Sequence, residues 1–251
     1  AGSFSYANIL QTARDFERVK NVILPEDEYK GVQAYTTYYY QYFFTMLVMM
    51  FVIYDMFAQR DNGMWSITYS CANGRIMYAI KQTGVIVVTG AFTHTLIYWS
   101  TFIAAMLQRG GVRDLVNPVQ TIETFDKFTY PWSKIKYVTV LYLISMVCIV
   151  ALCITIWGVF VMFRNRVYAL VTMLIFAAVE QFIYSHIDIH SVFNWLHYIN
   201  IINIININAT FSSYRNWGVG TYVFPVFSVV LFVHMICACI MVYIAVNVSE
   251  T

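Results

Sequence analysis

The chain has 251 residues, of which 60% are hydrophobic, 18% aromatic and only 11% charged, with a formal net charge of +2. A soluble domain is nearer 45–50% apolar and about 25% charged, so composition argues against a soluble enzyme or a disordered regulator. The small net charge supplies no field of the kind that steers a phosphate backbone, which argues against nucleic acid as a partner.

In chain order, residues 1–34 are polar and mixed in charge; Ile9, Phe16 and Val19 predict a short amphipathic helix that Pro25-Glu26-Asp27-Glu28 breaks. The cluster Tyr35, Tyr38, Tyr39, Tyr40 and Tyr42 follows, and rings with one polar atom suit the headgroup level at the entry of a first span. Five apolar runs occupy residues 35–54, 84–107, 137–163, 167–184 and 219–246. Of the 28 charged side chains these runs hold one, Glu180. About 20 apolar residues cross a hydrocarbon core roughly 30 Å thick, and a helix there satisfies its own backbone hydrogen bonds. The expectation is an all-α polytopic membrane protein with spans at about 35–57, 84–107, 137–163, 167–184 and 219–246.

The connections differ in kind. Between the first two spans lies a loop with Arg60, Asp61, Gly63, Arg75 and Lys81; it is either an ordinary interfacial loop with snorkelling cations, which composition by itself favours, or a docking surface for a soluble partner. Residues 108–136 form a longer connection, with Arg109-Gly110-Gly111 and Pro118. Arg164-Asn165-Arg166 is a tight turn that makes its two helices antiparallel neighbours. The segment 185–218 is rich in His, Asn and aromatic residues. Positive charge does not orient the chain: one side collects five Lys and Arg in short loops, the other ten in longer segments that obey the positive-inside rule weakly.

Ionisable groups within the spans are few. Charges at membrane depth usually face a partner or a wet cavity, so His94, Glu180 and His234 are candidates for a substrate pathway, or are polar groups bonded to a neighbouring helix. Glu180, His186, Asp188, His190, Asn194 and His197 form the most enzyme-like cluster. The spacing from His190 to Asn194 is reminiscent of intramembrane metalloproteases, but the Glu-Glu-x-x-x-Arg element that accompanies it there is missing. A polar outer loop is the plainer reading. Asn194, His197, Asn200, Asn203 and Asn206 recur every third residue. They predict a short helical segment in the outer interface before the last span, with Asn toward water or a protein cavity. Five cysteines (Cys71, Cys148, Cys153, Cys237 and Cys239), four of them inside apolar runs and with no CxxC pair, are expected to be free thiols rather than a disulfide or zinc framework.

The pattern Asp61…Gly63…Ser66…Gly74-Arg75…Lys81 after the first span resembles the permease of ABC-2-type transporters of the short bacterial class. So do Arg109-Gly110-Gly111…Pro118-Val119-Gln120-Thr121-Ile122…Phe125, the Arg164-Asn165-Arg166 turn, Tyr198-Ile199-Asn200-Ile201 and Tyr214-Arg215-Asn216-Trp217-Gly218. The resemblance covers roughly residues 35–247 and rests on loops and spacings. It implies a six-helix permease of which five helices are visible. The first helix would then precede residue 1, residues 1–34 would be extracytoplasmic, and 35–251 would be the transmembrane domain. It implies a multi-pass subunit of the cell membrane that pairs with a second permease subunit, identical or different. A separate ATPase would bind ATP and Mg, since the chain has no GxxxxGK[ST] and no cofactor of its own. Coupling to that ATPase falls on Arg60, Asp61, Gly63, Arg75, Lys81, Arg164 and Arg166, and the substrate pathway on His94, Glu180, Asn200 and Asn203. The expected cargo is an amphipathic peptide, antibiotic or lipid-like molecule, exported. Two other functions remain open: a membrane-embedded metalloenzyme using the His186 to His197 region, and a non-catalytic subunit of a larger membrane complex.

Overall fold

The computed structural model of the chain describes residues 4–25, 30–37, 40–63, 67, 70, 74–163, 165–187, 193–219 and 221–247; of these, the side chains of Tyr40, Gln41, Gln59, Asp61, Arg75, Asn194, His197, Tyr198 and Val219 are not described. Eleven α-helices and one small hairpin are described. They are α1 (Phe4–Glu17), α2 (Gly31–Thr37), α3 (Tyr40–Met56), α4 (Ala58–Asp61), α5 (Gly74–Arg109), α6 (Lys134–Met162), α7 (Arg166–His186), α8 (Asn194–Ile199), α9 (Ile202–Ile205), α10 (Ile207–Ser212), β1 (Asn216–Val219), β2 (Tyr222–Pro225) and α11 (Val226–Asn247). Four of the helices, α5, α6, α7 and α11, are long and apolar enough to cross a bilayer; α3 is apolar but shorter.

The bundle is built around α6. Buried residues lie on more than one side of it, including Val138, Leu141, Cys148, Ile149, Leu152, Cys153, Ile156, Trp157 and Phe160, and α3, α5, α7 and α11 all pack on it. The helices around it bury one stripe each. On α3 the buried residues are Tyr42, Thr45, Met46, Met49, Met50 and Ile53, continued by Phe57 just past its end, the three- and four-residue spacing of a single helical face, while Phe44, Val48 and Phe51 face outward. On α5 the stripe runs through Ala79, Gln82, Ile86, His94, Tyr98 and Phe102. α7 buries only Ala169 and Met173 and lies at the periphery.

Four expectations are corrected here. The second apolar helix starts ten residues before its apolar run, at Gly74, because residues 74–83, which mix Arg75, Lys81, Gln82 and Thr83 with apolar side chains, simply continue the helix; its 36 residues extend about 54 Å, well beyond a 30 Å hydrocarbon core. The last helix starts at Val226, seven residues after the start of its apolar run, the lost residues being used by the hairpin. Tyr35 and Tyr42 are not offered outward to headgroups: they are 2% and 1% exposed and pack inside the protein, Tyr35 making edge contacts with Tyr98 and Phe102, while Tyr38, Tyr39 and the Tyr40 side chain lie outside the described residues. Finally, one interfacial helix before the last span is replaced by three short ones, α8 to α10, with most of residues 200–211 buried. The 108–136 connection is a folded cap. Val119 N donates to Trp132 O, Gln120 Nε2 braces the carbonyls of Phe128 and Tyr130, and Gly110 and Gly111 take the positive φ that ends α5.

Candidate functional site

At one end of the bundle, two loops about a hundred residues apart are joined by one guanidinium. α3 ends at Met56, and α4 carries Arg60 back over the C-terminus of α6. Arg60 Nη1 donates to Phe160 O at 3.0 Å and to Phe163 O. Those carbonyls belong to the last turn of α6 and the residue after it, where the helix leaves acceptors unsatisfied and its dipole is negative, so a cation fits. The guanidinium also lies 4.7 Å from the Phe57 ring centre, and Phe57 touches Phe160. Across the 163–166 turn, Asn165 Oδ1 accepts the Val167 N–H and caps α7, while the Arg166 guanidinium sits 4.5 Å over Tyr54 of α3. Asn62, Gly63 (φ +75°), Lys81 and Asn165 face outward at this end. Of the coupling residues expected from the sequence, Arg60, Gly63 and Arg166 are thus brought to one end, and Lys81 lies on α5, not in a loop. The side chains of Asp61 and Arg75, and the whole of Arg164, lie outside the described residues.

Midway along the bundle, polar side chains stitch α5 to α6. As residue number rises on α5 it falls on α6: Gln82 Oε1 accepts from Trp157 Nε1 at 2.9 Å, His94 Nε2 meets Ser145 Oγ at 2.8 Å, Thr95 meets the Tyr142 hydroxyl at 2.8 Å, and Tyr98 OH donates to Val138 O. That antiparallel ladder aligns the two helices over most of their shared length. Ser145 donates its own proton to Tyr142 O, so the His94 ring donates through Nε2, and its Nδ1 has no hydrogen-bond partner among the described residues. The Tyr42 and Tyr142 rings both stack near the imidazole, with centroids 5.9 and 6.0 Å from it. His94, expected on a substrate pathway, is 1% exposed and enclosed by aromatic rings.

Toward the opposite end, Glu180 and the Asn-rich segment form one network. Glu180 lies six residues before the end of α7, about 9 Å along the helix. Its carboxylate accepts the Ile201 N–H at 3.0 Å, and its carbonyl accepts from Asn200 Nδ2 at 2.8 Å. Asn200 Oδ1 in turn accepts the Ile202 N–H, so the start of α9 is capped from two sides. Asn208 binds with both amide atoms: Oδ1 accepts from Tyr137 OH and Nδ2 donates to Thr36 O, each at 2.6 Å. Thr210 Oγ1 reaches the carbonyl of Asn203. Breaking a helix exposes backbone groups that need partners when buried, and these asparagines supply them. Asn200 and Asn203 of the expected stripe are 2% and 5% exposed and so face the protein, not water, as does the neighbouring Asn208 at 8%.

Beyond this lie α1 and the hairpin. Tyr214 OH donates to Asp15 Oδ2 at 3.0 Å, Gln11 Nε2 donates to the same carboxylate, and Arg18 pairs with it at 3.3 Å. Burial, followed by the Asp15 carboxylate, pushes the Tyr214 phenol above its usual pKa. Of the enzyme-like cluster, His186 is exposed and its Nδ1 lies 3.0 Å from Phe182 O on its own helix, while Glu180 is engaged as above. Asp188 and His190, and the side chains of Asn194 and His197, lie outside the described residues. Among the described residues no group of three or more His, Cys, Asp or Glu side chains is placed to hold a metal ion. His234 bonds Val230 O on its own helix and makes no link to a neighbouring one in that bond.

Neither Gln82 with Trp157 nor Asn208 with Tyr137 stood out in the sequence. Gln82 is an amide at the edge of an apolar run, and Asn208 is one of several asparagines in the segment between two such runs. Compared with known proteins, the chain matches no family model, no curated protein and no solved structure.

Proposed function

We propose that the chain is a multi-pass membrane protein with α3, α5, α6, α7 and α11 as its spans, and that it is the permease half of an ATP-driven exporter. The observation that supports this best is the Arg60 clamp. The loop after α3 and the turn between α6 and α7 are the two segments that would rest on an ATPase. Arg60 on the Phe160 and Phe163 carbonyls and Arg166 over Tyr54 tie them into one unit. A displacement applied to that end is passed to α3, α6 and α7 together, which is what coupling to a motor requires. In this reading Arg60 is the internal pin, and Asn62, Gly63, Lys81 and Asn165 offer the outward contact. The axis of the bundle is filled by α6, so a pathway needs a second subunit. The Tyr-, Phe- and Met-rich helix faces suit an amphipathic peptide, antibiotic or lipid-like cargo.

The test is isolation of the intact chain from its own cells in mild detergent. The expected result is an accompanying ATPase subunit that carries GxxxxGK[ST]. The double variant Asn62→Trp/Lys81→Glu, at two exposed positions, should lose that subunit while keeping its melting temperature. A homogeneous preparation without such a subunit, and without ATP turnover after reconstitution, overturns the proposal.

A further inference from the structure

β1 and β2 pair antiparallel, with Asn216 opposite Pro225, Trp217 opposite Phe224, Gly218 opposite Val223 and Val219 opposite Tyr222. Side chains alternate across such a ribbon. One face therefore carries Asn216, Gly218, Val223 and Pro225, and the other carries Trp217, Phe224 and Tyr222. The first face is covered by α1: the Phe4 ring lies so close to Gly218 that a Cβ there would overlap it, and Asn216 Nδ2 donates to Asn8 Oδ1 at 2.9 Å. The rings of the second face are exposed among the described residues. Trp217, Phe224 and Tyr222 are 42%, 45% and 71% exposed, and the last two rings stack. A two-stranded ribbon has little stability of its own, and three large rings left in water are an unusual outer face for one.

Continuity with α11 identifies what covers it. Val226 directly follows β2 and its N–H donates to Arg215 O at 2.9 Å, so the ribbon is tied to the first turn of α11 without a linker. α11 has 22 residues, about 33 Å, the thickness of a hydrocarbon core. Phe232, Met235, Ile236, Ile240 and Tyr243 point outward along it. If α11 crosses the bilayer, its first residue stands at the hydrocarbon edge and the ribbon stands at headgroup depth. The ring face has the matching chemistry: an indole N–H and a phenol O–H on apolar rings, with the exposed Arg215 beside it to meet phosphate.

We propose that the Trp217, Tyr222 and Phe224 face of the hairpin is a membrane-surface anchor seated in the lipid headgroup layer, fixing the depth of α11 and holding α1 at the bilayer surface. This rests on the reading of α11 as a span. The test uses the full chain in phosphatidylcholine–phosphatidylglycerol vesicles, with Cys71, Cys237 and Cys239 replaced by Ser. A fluorophore is attached at Trp217→Cys, at Tyr222→Cys or at Phe232→Cys, and quenching is compared for nitroxides on the lipid headgroup and near the acyl-chain end. The expected ratio of headgroup to acyl quenching is above one for the labels at 217 and 222 and below one at 232. Acyl quenching at 232 with no quenching at 217 and 222 places the ribbon in water or under protein; the anchor fails and the span stands. Absence of quenching at all three positions overturns the span and the anchor with it. Two labelled ribbon positions ensure that one misfolded variant does not decide the outcome.

Discussion

Asn208 joins three distant parts of the chain through one amide: Tyr137 on α6, Thr36 on α2 and its own helix α10. Tyr137 is fully buried, so Asn208→Ala strands a hydroxyl with no access to water. A buried group left unsatisfied costs about 1–3 kcal/mol. The expected outcome is a lower melting temperature in detergent, with the double variant Tyr137→Phe/Asn208→Ala losing less than the sum of the two single changes because no orphan hydroxyl remains, the loss at Thr36 O being common to both arms. A fully additive cycle would show that the hydrogen bond carries no weight. His94 presents the opposite case. In His94→Phe the ring packing with Tyr42 and Tyr142 is kept, and Ser145 still donates to Tyr142 O. Interhelical hydrogen bonds in membrane proteins average about 0.6 kcal/mol, so the melting shift for His94→Phe is expected to be smaller than for Asn208→Ala. The sequence marked His94 as a polar group at depth but could not choose between a pathway and a helix contact. That choice depends on Ser145, 51 residues away, which nothing local connects to it.

At the scale of elements, apolar runs located α6 and α7 within three residues at each end, because both helices begin and end at a change of polarity. They misplaced the starts of α5 and α11. A polar helical turn looks like a loop, and a strand of Tyr, Val and Phe looks like more of the following helix. The Asn-rich segment was legible as helical, but its breaks were not, since they are held open by partners on α6 and α7. Close packing of α6 on α11 was equally hidden. A Cβ placed on Gly158 would lie 2.5 Å from the Met241 Cβ, so Gly158→Val must push α11 away from α6. Overpacking of this kind costs about 1–3 kcal/mol. The melting temperature of Gly158→Val should fall, and the fall should be smaller when it is measured in a Met241→Gly background, which removes the clashing Cβ; an equal fall in both backgrounds would place the strain elsewhere. The dock of α1 on the hairpin has a pH dependence of definite sign. The Tyr214 pKa is raised in the folded chain, so the neutral phenol is favoured there, and the stabilisation is complete below the ordinary tyrosine value near 10 and disappears as pH climbs past it through the folded value. Amide exchange in α1, corrected for its intrinsic rise with pH, should therefore accelerate above about pH 10, and Tyr214→Phe should remove that acceleration.

For the whole molecule, charge counting failed to orient the chain, yet the direction of each helix sorts its ends. α3, α6 and α11 run one way and α5 and α7 the other, and specific contacts hold the ends in place: Arg60 and Arg166 at one end, Asn208 with Thr36 and Tyr214 with Asp15 at the other. Residues 57–63, 163 and 165 therefore belong to one end, and the 110–133 cap, residues 193–219 and 221–225, and α1 to the other. If the five apolar helices are spans, these ends are separated by a bilayer, and polar loops cannot slip through it because their unpaired backbone groups would be stranded in hydrocarbon. Exposed positions at each end then make the arrangement testable by side. Single cysteines replacing Asn62 and Asn165 should react with a membrane-impermeant maleimide from the same face of sealed vesicles, and a cysteine replacing Asp126 only from the other. Labelling of Asn62→Cys and Asp126→Cys from one common face would mean that an odd number of crossings does not separate them. α5, the one long helix that joins these two positions, would then lie on the bilayer instead of through it, and the Arg60 end would not be held on the face opposite the 110–133 cap.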